Sequence, residues 1–276
     1  MLKYIIFITG KKVPDLLQLE KECKKKSVQI SYSLPEEEIL IKETLYITDH
    51  DKICRQLIEE NANVLVWLHE ENKGKKLSMA PYAIEDITEM DYSYAEKIYR
   101  RFQNLPWLIT ETKRCIIREM TENDLDAHYE IYAGETVTKY MEGLYENREE
   151  ELLFMRSYIQ NAYVFWGYGT WVIERKEDKK LIGRVGFNMR DGYEEPELGF
   201  VIMENEQGKG YAWECCQAVL KVGKEEYEFE KIQVLIKEGN TASINLCQKL
   251  GFTWKEKVIE EKEEYCRFLL DMPKKD

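Results

Sequence analysis

Histidine is scarce in this 276-residue chain, with three copies, and the seven cysteines include no C-x-x-C pair. A zinc site needs Cys and His ligands at fixed spacing, and a disulfide scaffold needs an even, patterned set, so neither organises this protein. The cysteines stand scattered at Cys23, Cys54, Cys115, Cys215, Cys216, Cys247 and Cys266. Long apolar runs are missing too, since no stretch approaches the roughly 18 residues that cross a bilayer. The N-terminal MLKYIIFITGKK has a short apolar run and no small-residue cleavage site, which predicts the first buried strand of a cytoplasmic protein. Positive charge is the third shortage. Lys and Arg number 40 against 52 Asp and Glu, a net −12, and such a balance repels nucleic acid unless the bases gather on one face. The imbalance is local, with −2 over residues 1–110 and −10 over residues 111–276. Neither a nucleic acid nor a membrane is an expected partner.

What is present, 44% apolar and 33% charged residues over this length, fits two modest domains. Short apolar or β-branched runs occur at 4–8, 28–32, 44–48, 63–68 and 82–84. Helical spacing falls between them, at Pro14 to Lys26 through Leu16, Leu17, Leu19 and Cys23, and at Asp51 to Asn61 through Ile53, Leu57 and Ile58. This alternation predicts a small parallel α/β sheet. A helical stretch from Tyr94 to Phe102 is closed by Leu105-Pro106-Trp107, because proline disfavours helix at the residue before it. The boundary is therefore expected near 106–112, dividing an accessory domain (1–110) from a second domain (111–276).

The run LYITDHDKICRQLIEENANVLVWLHEEN, followed by APYAIEDITEMDYSYAEKIYRRF, resembles the second half of a haloacid-dehalogenase-like or related Rossmannoid domain. Phosphatases of that kind need a D-x-D at the end of the first strand, one carboxylate attacking phosphorus and the other protonating the leaving group. Here that strand ends Ile8-Thr9-Gly10-Lys11, so the domain is expected to be non-catalytic. Asp49 reads either as a remnant magnesium-binding acid or, the reading taken here, as a helix N-terminal residue favoured by the dipole.

From Arg114 the pattern changes. RCIIREM is a short strand, Thr121 a candidate cap for a following helix, and Arg148 to Ala162 a second helix. YGTWVIERK, KKLIGRVGFNMR and EPELGFVIM are then split by Glu177-Asp178 and Asp191-Gly192, which predicts a three-stranded antiparallel meander. Next, Gln207-Gly208-Lys209-Gly210-Tyr211-Ala212 forms a tight turn into a helix WECCQAVLKVGKEEY, and the strand KIQVLIK follows. Glycines permit positive φ, and a helix N-terminus presents unpaired amides to an anion, so the turn is a candidate pyrophosphate cradle. It lacks the spacing of a dinucleotide fingerprint or a P-loop.

Q-x-x-G-x-A after a strand, then Asn240-Thr241-Ala242-Ser243, a short helix, and Lys249-Leu250-Gly251-Phe252, together resemble the GNAT acetyltransferase superfamily. The opening RCIIREMTEND resembles the branch containing ribosomal-protein N-terminal acetyltransferases. The resemblance covers about 112–272 and implies a mixed, mostly antiparallel central sheet flanked by helices. It implies acetyl-CoA as acetyl donor, no metal, and an N-acetyltransferase acting on a primary amine in a ternary complex. The amides of Gln207, Gly208, Gly210, Tyr211 and Ala212 would hold the pyrophosphate, with Lys209 adding charge at the adenosine end. Main-chain atoms of Phe200, Val201, Ile202 and Met203 would pair with the pantetheine arm, one amide polarising the thioester carbonyl, and Asn240 would bond the same ligand. Glu197 is the candidate base. Ser243 is the candidate acid, with Cys247 standing where many members carry a tyrosine acid and Tyr265 a weaker choice.

Tyr158, Tyr163, Phe165, Trp166, Tyr168 and Trp171 form an aromatic cluster that reads as core or as an acceptor-site lining. Glu142 is placed to pair with a cationic acceptor, and the local acidity favours a small amine or a peptide N-terminus. The rival reading is a catalytically silent acetyl-CoA sensor whose first domain meets a partner or ligand. Oligomeric state is unread, and a dimer is compatible.

Overall fold

The computed structural model describes residues 1–33, 41–72, 74, 77, 79–260 and 262–272, apart from the side chains of residues 164 and 165. The chain divides into two compact units, 1–107 and 108–276.

In the first unit the elements run β1 (Tyr4–Ile8), α1 (Leu17–Lys26), β2 (Gln29–Ser31), β3 (Thr44–Thr48), α2 (Asp51–Glu59), β4 (Asn63–Trp67), β5 (Tyr82–Ile84) and α3 (Tyr92–Phe102). All five strands pair in parallel, in the order β2-β1-β3-β4-β5. Every residue of β3 and β4 is buried, as expected of central parallel strands covered on both faces. Leu45, Ile47 and Leu65 pack with Leu19 of α1 and with Ala95 and Ile98 of α3, whereas Tyr46, Val64 and Val66 pack with Cys54 and Leu57 of α2. The first helix starts later than its apolar spacing predicts. Leu16 is buried with non-helical torsions (φ −104°, ψ 54°), so the chain is held by the core before it can coil.

The second unit runs β6 (Leu108–Glu111), β7 (Cys115–Arg118), α4 (Leu125–Tyr132), α5 (Glu135–Thr138), α6 (Arg148–Tyr158), β8 (Thr170–Arg175), β9 (Leu181–Asn188), β10 (Glu197–Ile202), α7 (Tyr211–Glu225), β11 (Lys231–Lys237), α8 (Thr241–Lys249), β12 (Thr253–Glu260) and β13 (Glu263–Asp271). Its eight strands are ordered β12-β13-β11-β10-β9-β8-β7-β6. Neighbours are antiparallel except for β10 and β11. The expected meander is β8-β9-β10. The second helix ends at Tyr158 rather than Ala162, and Ile159–Trp166 continues as a π-helix, the wider coil that accommodates the bulky Tyr163 inside the core.

Candidate active site

Six residues of β10 pair with β9, from Glu197↔Asn188 to Ile202↔Gly183. On its other edge β10 meets β11 at one registered pair, Glu197↔Gln233, and the two parallel strands then separate. The apex is pinned by buried Gln233. Its backbone amide donates to Pro196 O (2.9 Å), its Nε2 to Glu195 O (2.9 Å), and its Oε1 accepts from Arg267 Nε (2.8 Å). Arg267 also donates to the carboxylates of Glu195 (2.9 Å) and Glu256 (2.8 Å). Beyond this knot lies a wedge with an open strand edge. Strand alternation decides which amides face it. The Met203 amide donates to Ile182 O (2.8 Å), so Met203 and Val201 address β9, and Phe200 and Ile202 address the wedge. This corrects the expectation that all of Phe200 to Met203 offer main-chain groups, because alternate amides of one strand point opposite ways.

At the wide end of the wedge the chain makes a turn into α7. Gly208 (φ 74°) and Gly210 (φ 83°) hold the left-handed torsions that shape it. The first amides of α7 have no acceptor within the helix. The Gln207 amide is spent on Glu204 O (3.2 Å), while its side chain donates to Ile202 O (3.0 Å) at the wedge mouth. Its Nε2 also lies 3.4 Å from Thr136 Oγ1 of α5. The turn is braced by charges that the motif does not contain. Arg114 lies over the Tyr211 ring at 4.1 Å, donates to Lys209 O (3.0 Å), and is held by Glu214 through its Nε (2.7 Å) and backbone amide (2.9 Å). Lys209 Nζ and Arg175 both donate to Glu206 Oε2 at 2.9 Å. Burial raises the Glu214 carboxyl, but Thr112 and Arg114 outweigh it and hold it below its ordinary range. Each nearby cation has an acid, so the turn's attraction for an anion resides in its backbone amides. Sequence reasoning missed Arg114 and Arg175 because their partners lie 100 and 31 residues away in the chain.

Among the described residues no hydrogen bond joins the expected catalytic side chains Glu197, Ser243 and Cys247 to one another. Glu197 sits at the apex, half-buried, with its carboxylate on Arg190 (Nε–Oε2 2.7 Å). Asn240 caps α8 by accepting from the Ser243 amide (3.2 Å), which spends its carbonyl oxygen and leaves the Ser243 hydroxyl on the first turn. Cys247 is fully buried, and burial pushes its thiol up to about 12. A thiol in that position packs the core. Tyr265, whose register partner is Lys237 on β11, lies beside Glu263 (3.4 Å).

The aromatic cluster divides. Tyr163 and Trp171 are core, with Tyr163 donating to Thr170 O (2.5 Å). Tyr158 accepts from the Thr170 amide (2.6 Å) and donates to Oδ1 of Asn188 (2.9 Å), the residue paired with Glu197. Trp166 is exposed, Tyr168 packs on Phe229 and Tyr227, and the Phe165 side chain lies outside the described residues. Glu142 is exposed within electrostatic reach of Lys237.

Asp49, in the first unit, is not a helix N-terminal residue. It precedes α2, and its carboxylate accepts from the Gly10 (2.8 Å) and Lys11 (2.9 Å) amides and from His69 Nε2 (3.1 Å). Burial raises this carboxyl, and those three donors outweigh it and lower it.

The Acetyltransferase (GNAT) domain family matches residues 114–253. YoaA of Bacillus subtilis, an N-acetyltransferase by name, is 31% identical over 55% of this chain and 86% of its own length. YnaD of the same organism is 34% identical over 51% of this chain and 79% of its own. Among solved structures, an acetyltransferase from Agrobacterium tumefaciens is similar with a TM-score of 0.51 at 21% identity, covering 59% of this chain and 94% of that one. A RimL ribosomal-protein acetyltransferase in complex with coenzyme A is similar with a TM-score of 0.50 at 13% identity, covering 60% and 98%. This chain, through its second unit, belongs to the GNAT acetyltransferase family.

Proposed function

We propose that residues 108–276 move an acetyl group from acetyl-CoA to a primary amine, a small amine or a peptide N-terminus, by direct attack in a ternary complex. The observation that carries this reading is the single-pair contact between β10 and β11 opening onto the amide turn at α7. The donor supplies an activated thioester. The amides of Gly208, Lys209, Gly210, Tyr211 and Ala212 receive its pyrophosphate, and the wedge-facing groups of Phe200 and Ile202 receive the extended pantetheine as an added strand. An amide on this edge polarises the thioester carbonyl where negative charge develops. Gln207 acts by its side chain at the mouth, Lys209 by its backbone, and Asn240 by its amide nitrogen. Val201 and Met203 line the strand.

The attacking amine must lose a proton and the departing sulfur must gain one. Glu197, at the apex and paired with Arg190, is the base, acting through a water molecule. Ser243, on the first turn of α8, is the acid, and the complete burial of Cys247 favours Ser243 over it. Glu142 and the Tyr158–Asn188 pair flank the acceptor side. Seven free thiols, six of them buried, suit a reducing cytoplasm. No described helix is long and apolar enough to cross a membrane.

Thiol release from acetyl-CoA, followed over a panel of polyamines, amino acids and short peptides, tests the reading. Amine-dependent release is expected, falling by about a hundredfold in Glu197→Gln and Ser243→Ala, within the range of general acid–base catalysis, at unchanged acetyl-CoA affinity. Tight acetyl-CoA binding without amine-dependent release would overturn it.

A further inference from the structure

Seven of the eight arginines in the second unit hold a carboxylate. Arg184 of β9 is the exception, forming no ion pair with any aspartate or glutamate among the described residues. It is half-buried, and its Nε is buried with no partner. Its one hydrogen bond runs from Nη1 to Tyr132 Oη at 3.4 Å, longer than such bonds usually are. Tyr132, Tyr163 and Tyr158 are its electrostatic neighbours, and tyrosines carry no charge at neutral pH. His128, one turn before Tyr132 on α4, adds none either, because burial first and the Arg184 charge second lower it to about 3. A guanidinium cannot shed its proton, so a cation drawn partly out of water here lacks the counter-charge that would offset its desolvation.

The outer end of this guanidinium can be reached. Nη2 makes no hydrogen bond and, unlike Nε, is not shut off from solvent. The sheet then provides a floor leading from it toward the proposed base. In the β9–β10 register Arg184 opposes Val201, Gly186 opposes Gly199, and Asn188 opposes Glu197. Directly opposed residues of an antiparallel pair share a face, so Arg184, Gly199 and Glu197 all lie on one side. Gly199 is half-exposed, and a Cβ there would meet only Asn188 Nδ2, at 3.7 Å. The face is therefore open between the Arg184 row and the Glu197 row, which stand about 14 Å apart at the backbone at roughly 3.4 Å per residue. Two long side chains lean into that span, and what remains suits a small molecule.

Resting on the acetyl-transfer reading above, we propose that the acceptor is an amine of the free amino-acid class, its carboxylate held end-on by Nη1 and Nη2 of Arg184 and its amino group lying over Gly199 toward Glu197. The planar fork matches a carboxylate with two charge-assisted hydrogen bonds, and Nη1 gives up only the long Tyr132 contact. The amine nitrogen bonds to the acetyl carbon as the C–S bond breaks. The ammonium proton leaves toward Glu197 and the sulfur takes one, giving an N-acetylamino acid and coenzyme A. A polyamine or the N-terminus of a long peptide brings no carboxylate to this position, so Arg184 sets specificity.

Thiol release from acetyl-CoA by the full chain tests this with L-leucine against L-leucinamide and isoamylamine, L-phenylalanine against phenethylamine, and L-lysine against cadaverine. At least one amino acid should show a kcat/KM about tenfold or more above its analogues without the carboxylate, as a bidentate charge-assisted pair requires. Arg184→Met should remove that advantage through KM, leave acetyl-CoA affinity unchanged in calorimetry, and hold the urea midpoint at or above that of the parent, because no paired acid is orphaned. Arg184→Lys, which keeps the charge without the fork, should retain part of the advantage, and it serves as the test if the methionine variant does not fold. Comparing each variant with the parent on the same amine cancels the different basicities of the amines. Analogues that match the amino acids, or an advantage that survives Arg184→Met, would overturn this inference alone. No release from any of these amines, with acetyl-CoA bound, would overturn acetyl transfer and the inference with it.

Discussion

Gly210 combines a left-handed torsion, φ 83°, with a site where an added Cβ meets nothing nearer than an Arg114 nitrogen at 3.6 Å. A side chain there costs about 1–2 kcal/mol of backbone strain but has room. Gly210→Glu is therefore expected to leave a folded protein by circular dichroism and to abolish acetyl-CoA binding in calorimetry, since its carboxylate competes with the pyrophosphate for the same amides. Unchanged affinity would refute the cradle. His128 makes a different prediction. Burial, reinforced by Arg184, lowers its pKa to about 3, and among the described residues neither ring nitrogen has a partner. Between the unfolded value near 6.5 and that lowered value, the unfolded chain binds the extra proton. Stability from this group is complete above about pH 6.5 and declines as pH falls, by about 1.4 kcal/mol per unit. Urea midpoints measured from pH 7 to 4 should fall less steeply in His128→Gln. Gly210 was legible because a turn glycine announces itself within six residues. His128, Arg114 and Arg175 were not, because their meaning comes from groups that only folding brings near.

Helix α7 presses on β9 through a glycine. A Cβ at Gly223 would come 2.8 Å from Phe187 Cζ and 3.2 Å from Phe229 Cδ2, so Gly223→Leu should overpack this seat and lower stability by about 1–3 kcal/mol. The measurement is the urea midpoint, and a neutral result would mean that the helix can slide. The strands at 4–8, 44–48 and 82–84 were legible to the residue, because β-branched runs between turn signals leave few alternatives. The β10–β11 wedge was not, since ELGFVIM and KIQVLIK look equally able to pair along their length. The knot of Gln233, Arg267, Glu195 and Glu256 holds them at Glu197↔Gln233, the one registered pair, with partners drawn from four separate stretches of chain.

Across the whole molecule, the edge strand β6 pairs with β7 from Leu108↔Arg118 to Glu111↔Ile116 and buries Ile109. A chain starting at Leu108 should fold cooperatively and bind acetyl-CoA like the full protein. One starting at Lys113 should lose stability, by about 1.5–3 kcal/mol for the one buried side chain. Equal melting of the two would show that β6 is dispensable. The same contrast marks what each level decides. Local chemistry, in the glycine turn, the capped helices and the alternation of apolar runs, sufficed for the class of each part and for the turn into α7, because these depend on neighbours within a few residues. Orientation and partnership required the tertiary structure. It turned the Phe200 amide outward and the Met203 amide inward, sank Cys247 into the core, and took Asp49 from its helix to clamp Gly10 and Lys11. Those outcomes depend on which distant groups compete for each hydrogen bond and each cavity, and that competition exists only once the chain has closed on itself.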